Sequence, residues 1–435
     1  MSTDPLRVSR EERRRIMEAT DGAASVCFQC GTCTATCPWM AADGDPISVR
    51  EIMRETQFGT DGNGETLYRC LTCKACEAQC PRGVDIVDAF LGLRELAFEN
   101  DEAPGSLEGA LWSVYEADNP WERPASGRDD WLEEVPEDVD VSVGEDAEVL
   151  FYVGCAPSYD PALQSVPSAV CQLFEAADVD YTVLGGEEVC CGDVVRQTGE
   201  PDFFAEIAET NADAFAGTGA DTIVATSPHC AETFTGAYDL DADVVHYTEY
   251  LVDLVEGGDL EFGDLDRTVT FHDPCYLARG MAVVEAPRQL LAAAGVEVSE
   301  MSEHGADALC CGGGGGHMWQ EVEMEERFAD RRAKQADDTA AEELLTACPF
   351  CVQTLDDGVK KTGVDLPVRE LTAVLLEALE VADEVDGATD EVVETASHEA
   401  GSGEAVPPDE EDGIGGTGET GEPATKAADD EVNDK

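Results

Sequence analysis

Cys27, Cys30, Cys33 and Cys37 form a Cys-x2-Cys-x2-Cys-x3-Cys run closed by Pro38, and Cys70, Cys73, Cys76 and Cys80 repeat it before Pro81. Three thiolates set two residues apart can wrap three corners of an iron–sulfur cubane while the intervening amides point at its sulfides. A fourth Cys before Pro is turned away and reaches a second cluster. Zinc knuckles are the competing use of paired cysteines, but zinc sites rarely employ this third Cys and the Cys-Pro pair. The spacing predicts two [4Fe-4S] cubanes. Cys27, Cys30, Cys33 and Cys80 would hold one, and Cys70, Cys73, Cys76 and Cys37 the other.

A second cysteine pattern occurs twice further on. Phe151-Tyr-Val-Gly-Cys155 corresponds to Phe271-His-Asp-Pro-Cys275, Cys190-Cys191-Gly192 to Cys310-Cys311-Gly312, and Ser227-Pro-His-Cys230 to Cys348-Pro-Phe-Cys351. In both copies 34 residues separate the first Cys from the Cys-Cys pair, so this is a duplicated metal-binding unit. Adjacent thiolates fit one tetrahedral zinc poorly, whereas neighbouring irons of a cluster can take one each. Copy two supplies five thiols; copy one supplies Cys155, Cys190, Cys191 and Cys230, with Ser227 in the fifth place. Cys171 lies outside both patterns and reads as a buried structural thiol.

Copy two also carries Gly312 to Gly316 followed by His317. Without side chains, Gly312, Gly313 and Gly314 would let a cluster or substrate approach bare backbone amides; a flexible loop is the alternative. His272 and His317 flank the ligands of copy two and are the candidates for catalytic proton movement, with a structural hydrogen bond as the other use. His229 beside Cys230 has the same two readings.

The run from Cys27 to Pro38, followed by two Cys-Cys-Gly units, resembles the catalytic subunit of heterodisulfide reductase and its wider relatives. Those include iron–sulfur subunits of glycolate, lactate and glycerol-3-phosphate dehydrogenases and iron–sulfur proteins serving electron-transfer flavoprotein. The resemblance covers roughly residues 20 to 385. It implies a non-cubane [4Fe-4S] cluster on Cys275, Cys310, Cys311, Cys348 and Cys351, and a further iron–sulfur or zinc centre at copy one. It further implies electron relay between a flavoprotein dehydrogenase or electron-transfer flavoprotein and a membrane cytochrome b or quinone-reactive subunit. No flavin, nicotinamide or quinone motif stands in this chain, so those partners are separate polypeptides. The rival reading is a thiol–disulfide reductase using copy two. Its heterodisulfide-reducing relatives carry five Cys in both units, a pattern from which Ser227 departs. A zinc-stabilised interaction protein, the third class, is disfavoured by the eight-Cys pattern.

The surrounding elements must place these thiols. Short helical patterns, from Pro46 to Phe58 and from Val84 to Asn100, point to a helical ferredoxin domain over 1–105. Residues 106–147 read as a Pro-broken acidic linker whose Trp112, Trp121 and Trp131 pack against something. From 148 the pattern is α/β, with strand-like runs at Val149–Val153, Thr222–Ala225, Thr268–Phe271 and Glu343–Thr346. The expected architecture is therefore α helical ferredoxin plus α/β. Two pseudo-symmetric domains with parallel sheets, over 148–265 and 266–385, precede an acidic disordered tail over 386–435.

Composition bounds the setting. With 95 Asp and Glu against 26 Lys and Arg, the formal net charge is −69, which repels phosphate backbones and anionic lipid and argues against nucleic acid. The regular apolar segments argue against an acidic disordered chain. The N-terminus has no apolar run of a secretory signal and no segment reaches a membrane span. The expectation is a cytoplasmic protein, peripheral at the membrane only through a partner, whose cysteines bind metal rather than form disulfides. The acidity reads as a halophile-type surface. Self-repulsion is screened within about 3 Å at 1 M salt, so thermal melts should show a higher midpoint in molar salt than at about 0.1 M, and equal midpoints would refute the halophile reading.

Overall fold

The computed structural model describes residues 9–40, 42, 47–60, 64–321 and 327–382. The tail expected over 386–435 lies outside the described residues, as does Pro46 at the start of the helical pattern expected from Pro46 to Phe58.

The N-terminal part is helical. Helix Val49–Phe58 is capped by Ser48, whose hydroxyl accepts from the Glu51 amide at 3.3 Å. Helix Ile86–Glu99 buries Ile86, Phe90, Leu93 and Ala97 along the stripe that the 3.6-residue period sets. The same core takes in Cys275, Tyr276, Leu309, Cys310 and Phe328, so the ferredoxin-like part is packed onto the second α/β unit without a break.

Two parallel sheets follow. The first contains β1 (Ser142–Val143), β2 (Val149–Tyr152), β3 (Tyr181–Val183), β4 (Thr222–Ala225) and β5 (Asp243–His246), in the order β1-β3-β2-β4-β5. The second contains β6 (Arg267–His272), β7 (Val296–Val298), β8 (Leu344–Thr346) and β9 (Val368–Glu370), in the order β7-β6-β8-β9. Apart from β1 the two orders correspond strand for strand. The central strands are covered on both faces, which is why β2 reads as the unbroken run Val-Leu-Phe-Tyr and is buried throughout. Val149, Phe151, Val269, Phe271 and Leu345 belong to a single core spanning both sheets. A last helix over 371–382 adds Leu371, Val374, Leu375 and Ala378 to it.

Residues 106–147 hold helix Glu108–Ala117, several single turns and strand β1, which pairs in parallel with β3. Trp131 is buried in the shared core and Trp121 meets the rings of Trp319 and Phe350 at 5.7 and 5.6 Å. Trp112 does not pack inward as expected: it is 61% exposed and stacks on Tyr115, itself exposed.

The parts meet at Arg94. Its fully buried guanidinium donates to the carbonyls of Leu67 (2.9 Å), Cys70 (2.7 Å), Gln197 (2.7 Å) and Gly315 (3.3 Å). One side chain thus ties the second cysteine run, the first α/β unit and the glycine loop of the second. The loop packs backbone to backbone where it meets that run. A Cβ at Gly314 would stand 2.5 Å from the Leu71 carbonyl oxygen, and one at Gly315, where φ is +65°, 2.1 Å from that of Cys70. Gly315→Ala should therefore cost about 2–4 kcal/mol, combining left-handed strain with overpacking against backbone. Gly219→Ala, also at positive φ but with open space around it, should cost only about 1 kcal/mol. Urea titrations of the two variants give the comparison; equal losses would mean that the contact with Cys70 is immaterial.

Candidate metal centres

The two N-terminal cysteine runs share one backbone solution. Gln29 and Gly31 in the first, and Thr72 and Lys74 in the second, all have positive φ, at 60°, 88°, 50° and 57°. These left-handed residues curl the loop so that successive amides face inward; the amides of Gln29 and Thr72 each lie 3.4 Å from Sγ of Cys27 and Cys70. The third Cys of each run sits on a short helix, Thr32–Thr36 or Ala75–Ala78. Proline then forces the chain out: Cys37, before Pro38, is extended with ψ 129°.

That exit carries each fourth Cys to the other run. One cavity is lined by Cys27, Cys30 and Cys33 together with Cys80. A second is lined by Cys70, Cys73 and Cys76 together with Cys37, and Ile86 stands in the wall of both. Burial, and then Cys70 nearby, pushes the Cys37 thiol up to about 12, and the same causes raise Cys76. Four thiols gathered in one cavity can be ionised together only around a cation, so this donor set fits an iron cluster.

The copy-one cysteines lie at the carboxyl ends of parallel strands: Cys155 after β2, Cys190 and Cys191 after β3, Cys230 after β4. They line one cavity with Asp193, Ser227 and His229, and Trp121, Trp319 and Phe350 close it. Arg128, buried, donates to Cys155 Sγ at 3.3 Å and pairs with the buried carboxylate of Glu188 at 3.2 Å. Ser227 caps helix Pro228–Ala237, its hydroxyl accepting from the His229 amide at 3.3 Å. Cys348, at the matching position before helix Pro349–Thr362, makes no capping bond. Cys171 is fully buried in the shared core.

In copy two, Cys275 and Cys310 have their sulfurs 3.7 Å apart, and Cys311 and Cys351 3.3 Å. Cys348 is fully buried; burial opposes ionisation there, but hydrogen bonds from Cys351 and His229 bring the thiol down to about 6. His272 Nε2, Cys311 Sγ and Cys351 Sγ come within one ligand sphere. His272 is nevertheless placed as a donor rather than a ligand. Arg332 Nε donates to its Nδ1 at 2.9 Å, and because a guanidinium always donates, the imidazole proton must sit on Nε2, facing Cys311. His317 is turned away from the thiols: its Nε2 bonds the Tyr68 carbonyl at 3.1 Å and its ring lies by Trp39. Burial, with Arg94 adding to it, lowers its pKa to about 4. Gly312 and Gly313 line a pocket beside Cys311, whereas Gly314 packs on the second cysteine run.

The centres are connected. Cys73 and Cys310 share one buried core; the influence of Cys310, and then of Arg279, which donates to the Cys73 carbonyl at 2.6 Å, draws the Cys73 thiol downward despite burial. Thr72 Oγ1 meets Tyr276 OH at 2.7 Å, and Gln197 donates to the same hydroxyl at 3.0 Å and to Asp193 at 3.2 Å. Asp193 reaches His229 Nδ1 at 3.4 Å, and the His229 ring stacks on Tyr276 with centroids 4.0 Å apart. Sequence reasoning missed Tyr276, Asp193 and Gln197. Their one signal was adjacency, since Tyr276 follows Cys275 and Asp193 follows the Cys-Cys-Gly unit. It also missed Arg94, Arg128, Arg279 and Arg332, which stand out once basic residues are scarce.

The described residues contain no helix long and apolar enough to cross a membrane. A 4Fe-4S dicluster domain matches residues 23–84, and a Cysteine-rich domain matches twice, at 149–235 and 269–356. A probable membrane-anchored ferredoxin of Chromohalobacter salexigens is 31% identical over 87% of this chain and 62% of its own length. The EtfAB:quinone oxidoreductase of Syntrophomonas wolfei is 32% identical over 73% of this chain and 47% of its own. A component of the dihydromethanophenazine:CoB–CoM heterodisulfide reductase of Methanosarcina acetivorans is 28% identical over 81% of this chain and 93% of its own. The chain thus spans only about half to three-fifths of the first two relatives. With its dicluster domain and two cysteine-rich domains, the chain belongs to the iron–sulfur oxidoreductases related to heterodisulfide reductase.

Proposed function

We propose that the chain is the iron–sulfur subunit that carries electrons between a flavoprotein and a quinone or other membrane carrier. The flavoprotein would be a 2-hydroxy-acid dehydrogenase, a glycerol-3-phosphate dehydrogenase or an electron-transfer flavoprotein. The name of the Syntrophomonas wolfei relative, which pairs EtfAB with quinone, supports this direction. The observation that carries it is the succession of thiols from the exposed Cys30, through two four-cysteine cavities that share Ile86, to Cys73 and Cys310 in one buried core. A relay of single electrons needs such a succession.

The ligand sets proposed are those of the cysteine patterns, and three of the four sets each line a common cavity. Cys27, Cys30, Cys33 and Cys80 would hold one [4Fe-4S] cubane, and Cys37, Cys70, Cys73 and Cys76 the other. Cys275, Cys310, Cys311, Cys348 and Cys351 would hold a non-cubane [4Fe-4S] cluster, and Cys155, Cys190, Cys191 and Cys230 a further iron–sulfur or zinc centre. When bound, such clusters accept and release single electrons. His272 would then steady the charge on Cys311 through its Nε2–H, and His317 would anchor the glycine loop. Ser227 is a poor fifth ligand for two reasons: its proton is hard to remove, and its oxygen already caps a helix. That weighs against disulfide chemistry requiring two equivalent five-thiol sites.

Low-temperature EPR with iron counts tests this assignment. Cys351→Ser should abolish the unusual copy-two signal and turnover with the partner, and Cys37→Ser should disturb the cluster of the second run. Ser227→Ala should keep the signals and most activity while losing about 1 kcal/mol with its cap. Loss of the unusual signal in Ser227→Ala, with its persistence in Cys351→Ser, would show the two sites reversed.

A further inference from the structure

Most of this chain is covered in acid, but one face is not. Residues 1–94 carry eleven Lys and Arg against fourteen Asp and Glu, while the remaining residues carry fifteen against eighty-one. Within that near-neutral part, the surroundings of Cys27 and Cys30 stand out. Cys30 is the one exposed thiol among the described cysteines. Phe28 beside it is 69% exposed and Val26 44%. Arg82 lies over the Phe28 ring at 4.4 Å and donates to the Val26 carbonyl at 3.5 Å. Arg50 and Arg82 both line the Cys27–Cys30–Cys33–Cys80 cavity, and Arg54 is exposed one turn beyond Arg50 on the same helix. Among the described residues none of these three arginines enters an ion pair, although Arg14, Arg15, Arg196, Arg267, Arg288 and Arg327 all do.

An exposed phenylalanine and valine cost solubility, and unpaired arginines amid so much acid are a waste of counter-charge unless something covers them. We propose that this face is the docking surface for a redox partner protein whose cofactor lies behind an apolar centre with an acidic rim. Val26 and Phe28 meet the centre, and Arg50, Arg54 and Arg82 meet the rim. One electron leaves the reduced site under Cys27 and Cys30 and is taken up by the one-electron acceptor of the partner; the reverse transfer uses the same contact. The rest of the chain, with fifteen Lys and Arg against eighty-one Asp and Glu, repels such a partner on the whole, so the patch selects orientation as well as identity. The inference rests on the cluster assignment proposed above.

Two small anions can stand in for the acidic rim: ferricyanide, which takes one electron, and hexacyanochromate(III), which takes none. The full iron-loaded chain, reduced and mixed with ferricyanide, should react more slowly as salt rises from about 0.05 to 0.5 M, because a local positive patch attracts the anion and salt screens it. A chain whose net charge governed the encounter would show the opposite slope. Arg50→Glu with Arg82→Glu should slow the reaction about tenfold at low salt and reverse its salt dependence. Lys360→Glu with Lys361→Glu, an equal charge change on an exposed helix elsewhere, should leave it within about twofold. Docked hexacyanochromate should also speed the spin relaxation of the nearby reduced cluster in EPR, and the Arg50/Arg82 variant should lose that effect. A rate that rises with salt, or equal slowing in the two double variants, would overturn the docking face. If Cys30→Ser retained the full iron content of the parent chain, the cluster assignment would fall instead, and the docking face with it.

Discussion

A thiolate buried in protein is an uncompensated anion, and this fold buries most of its cysteines in a few small volumes. Leaving water costs each buried charge several kcal/mol unless an opposite charge or a metal stands beside it. Cationic iron supplies part of that compensation, and the rest comes from guanidinium groups. Arg94 and Arg332 are fully buried and Arg279 partly so. Among the described residues none of the three hydrogen-bonds a carboxylate: Arg94 and Arg279 donate to carbonyls, and Arg332 to His272, a carbonyl and the Gln335 amide oxygen. Cys70 acts on Arg94, and Cys73, Cys275 and Cys310 on Arg279, whereas Asp273 and Glu303 act on Arg332 ahead of Cys351 and Cys311. A chain with so few basic residues places several of them where no solvent reaches.

The same groups decide how the parts of the molecule sit together. Arg94 fixes the second cysteine run against both α/β units, and Arg279 holds Cys73 against Cys310 while gripping the carbonyls of Ala306 and Ala308. Several such bonds from one planar guanidinium fit only a narrow range of carbonyl positions, which holds the units in place around the thiols. The glycine run serves that approach. Gly314 and Gly315 are bare because the chain carrying Cys70 and Leu71 passes where their side chains would be. A relay of single electrons depends on such fixed separations; a flexible tether between clusters would serve it poorly.

How much of this is legible in the sequence depends on the kind of residue. The cysteine spacing foretells loops that curl through left-handed residues and then leave at proline, because the pattern encodes that path directly. Strands β2, β4, β6 and β8 are legible because both their faces are buried and they read as apolar runs. Their neighbours are not: β3, β7 and β9 are three residues long, and Val-Glu-Val or Val-Arg-Glu at a sheet edge carries no period to detect. The glycine run suggests an opening for a ligand, which describes Gly312 and Gly313 but not Gly314, since sequence gives no sign of which backbone lies opposite. His272 stands out in the sequence only for its position beside a ligand. Its tautomer is dictated by Arg332, sixty residues away, which no local pattern could supply.

The two copies of the cysteine-rich unit show how a duplicated scaffold acquires unequal ends. In copy one a buried Arg128–Glu188 pair stands at Cys155, so the guanidinium is already neutralised by a carboxylate and lends less charge to the thiols. In copy two Ala308 occupies the place of Glu188, two positions before the Cys pair, and the buried carboxylate beside Cys275 is Asp273, which pairs with Arg288 at 2.7 Å. Copy one is closed over by Trp121, Trp319 and Phe350, whereas Cys311 of copy two borders a pocket lined by Gly312, Gly313 and Arg327. Ser227 completes the divergence, because a hydroxyl that caps a helix stabilises the fold while giving up a ligand. Taken together, the differences move thiol count and access towards copy two, while copy one reaches across to it through His229, which stacks on Tyr276 with centroids 4.0 Å apart.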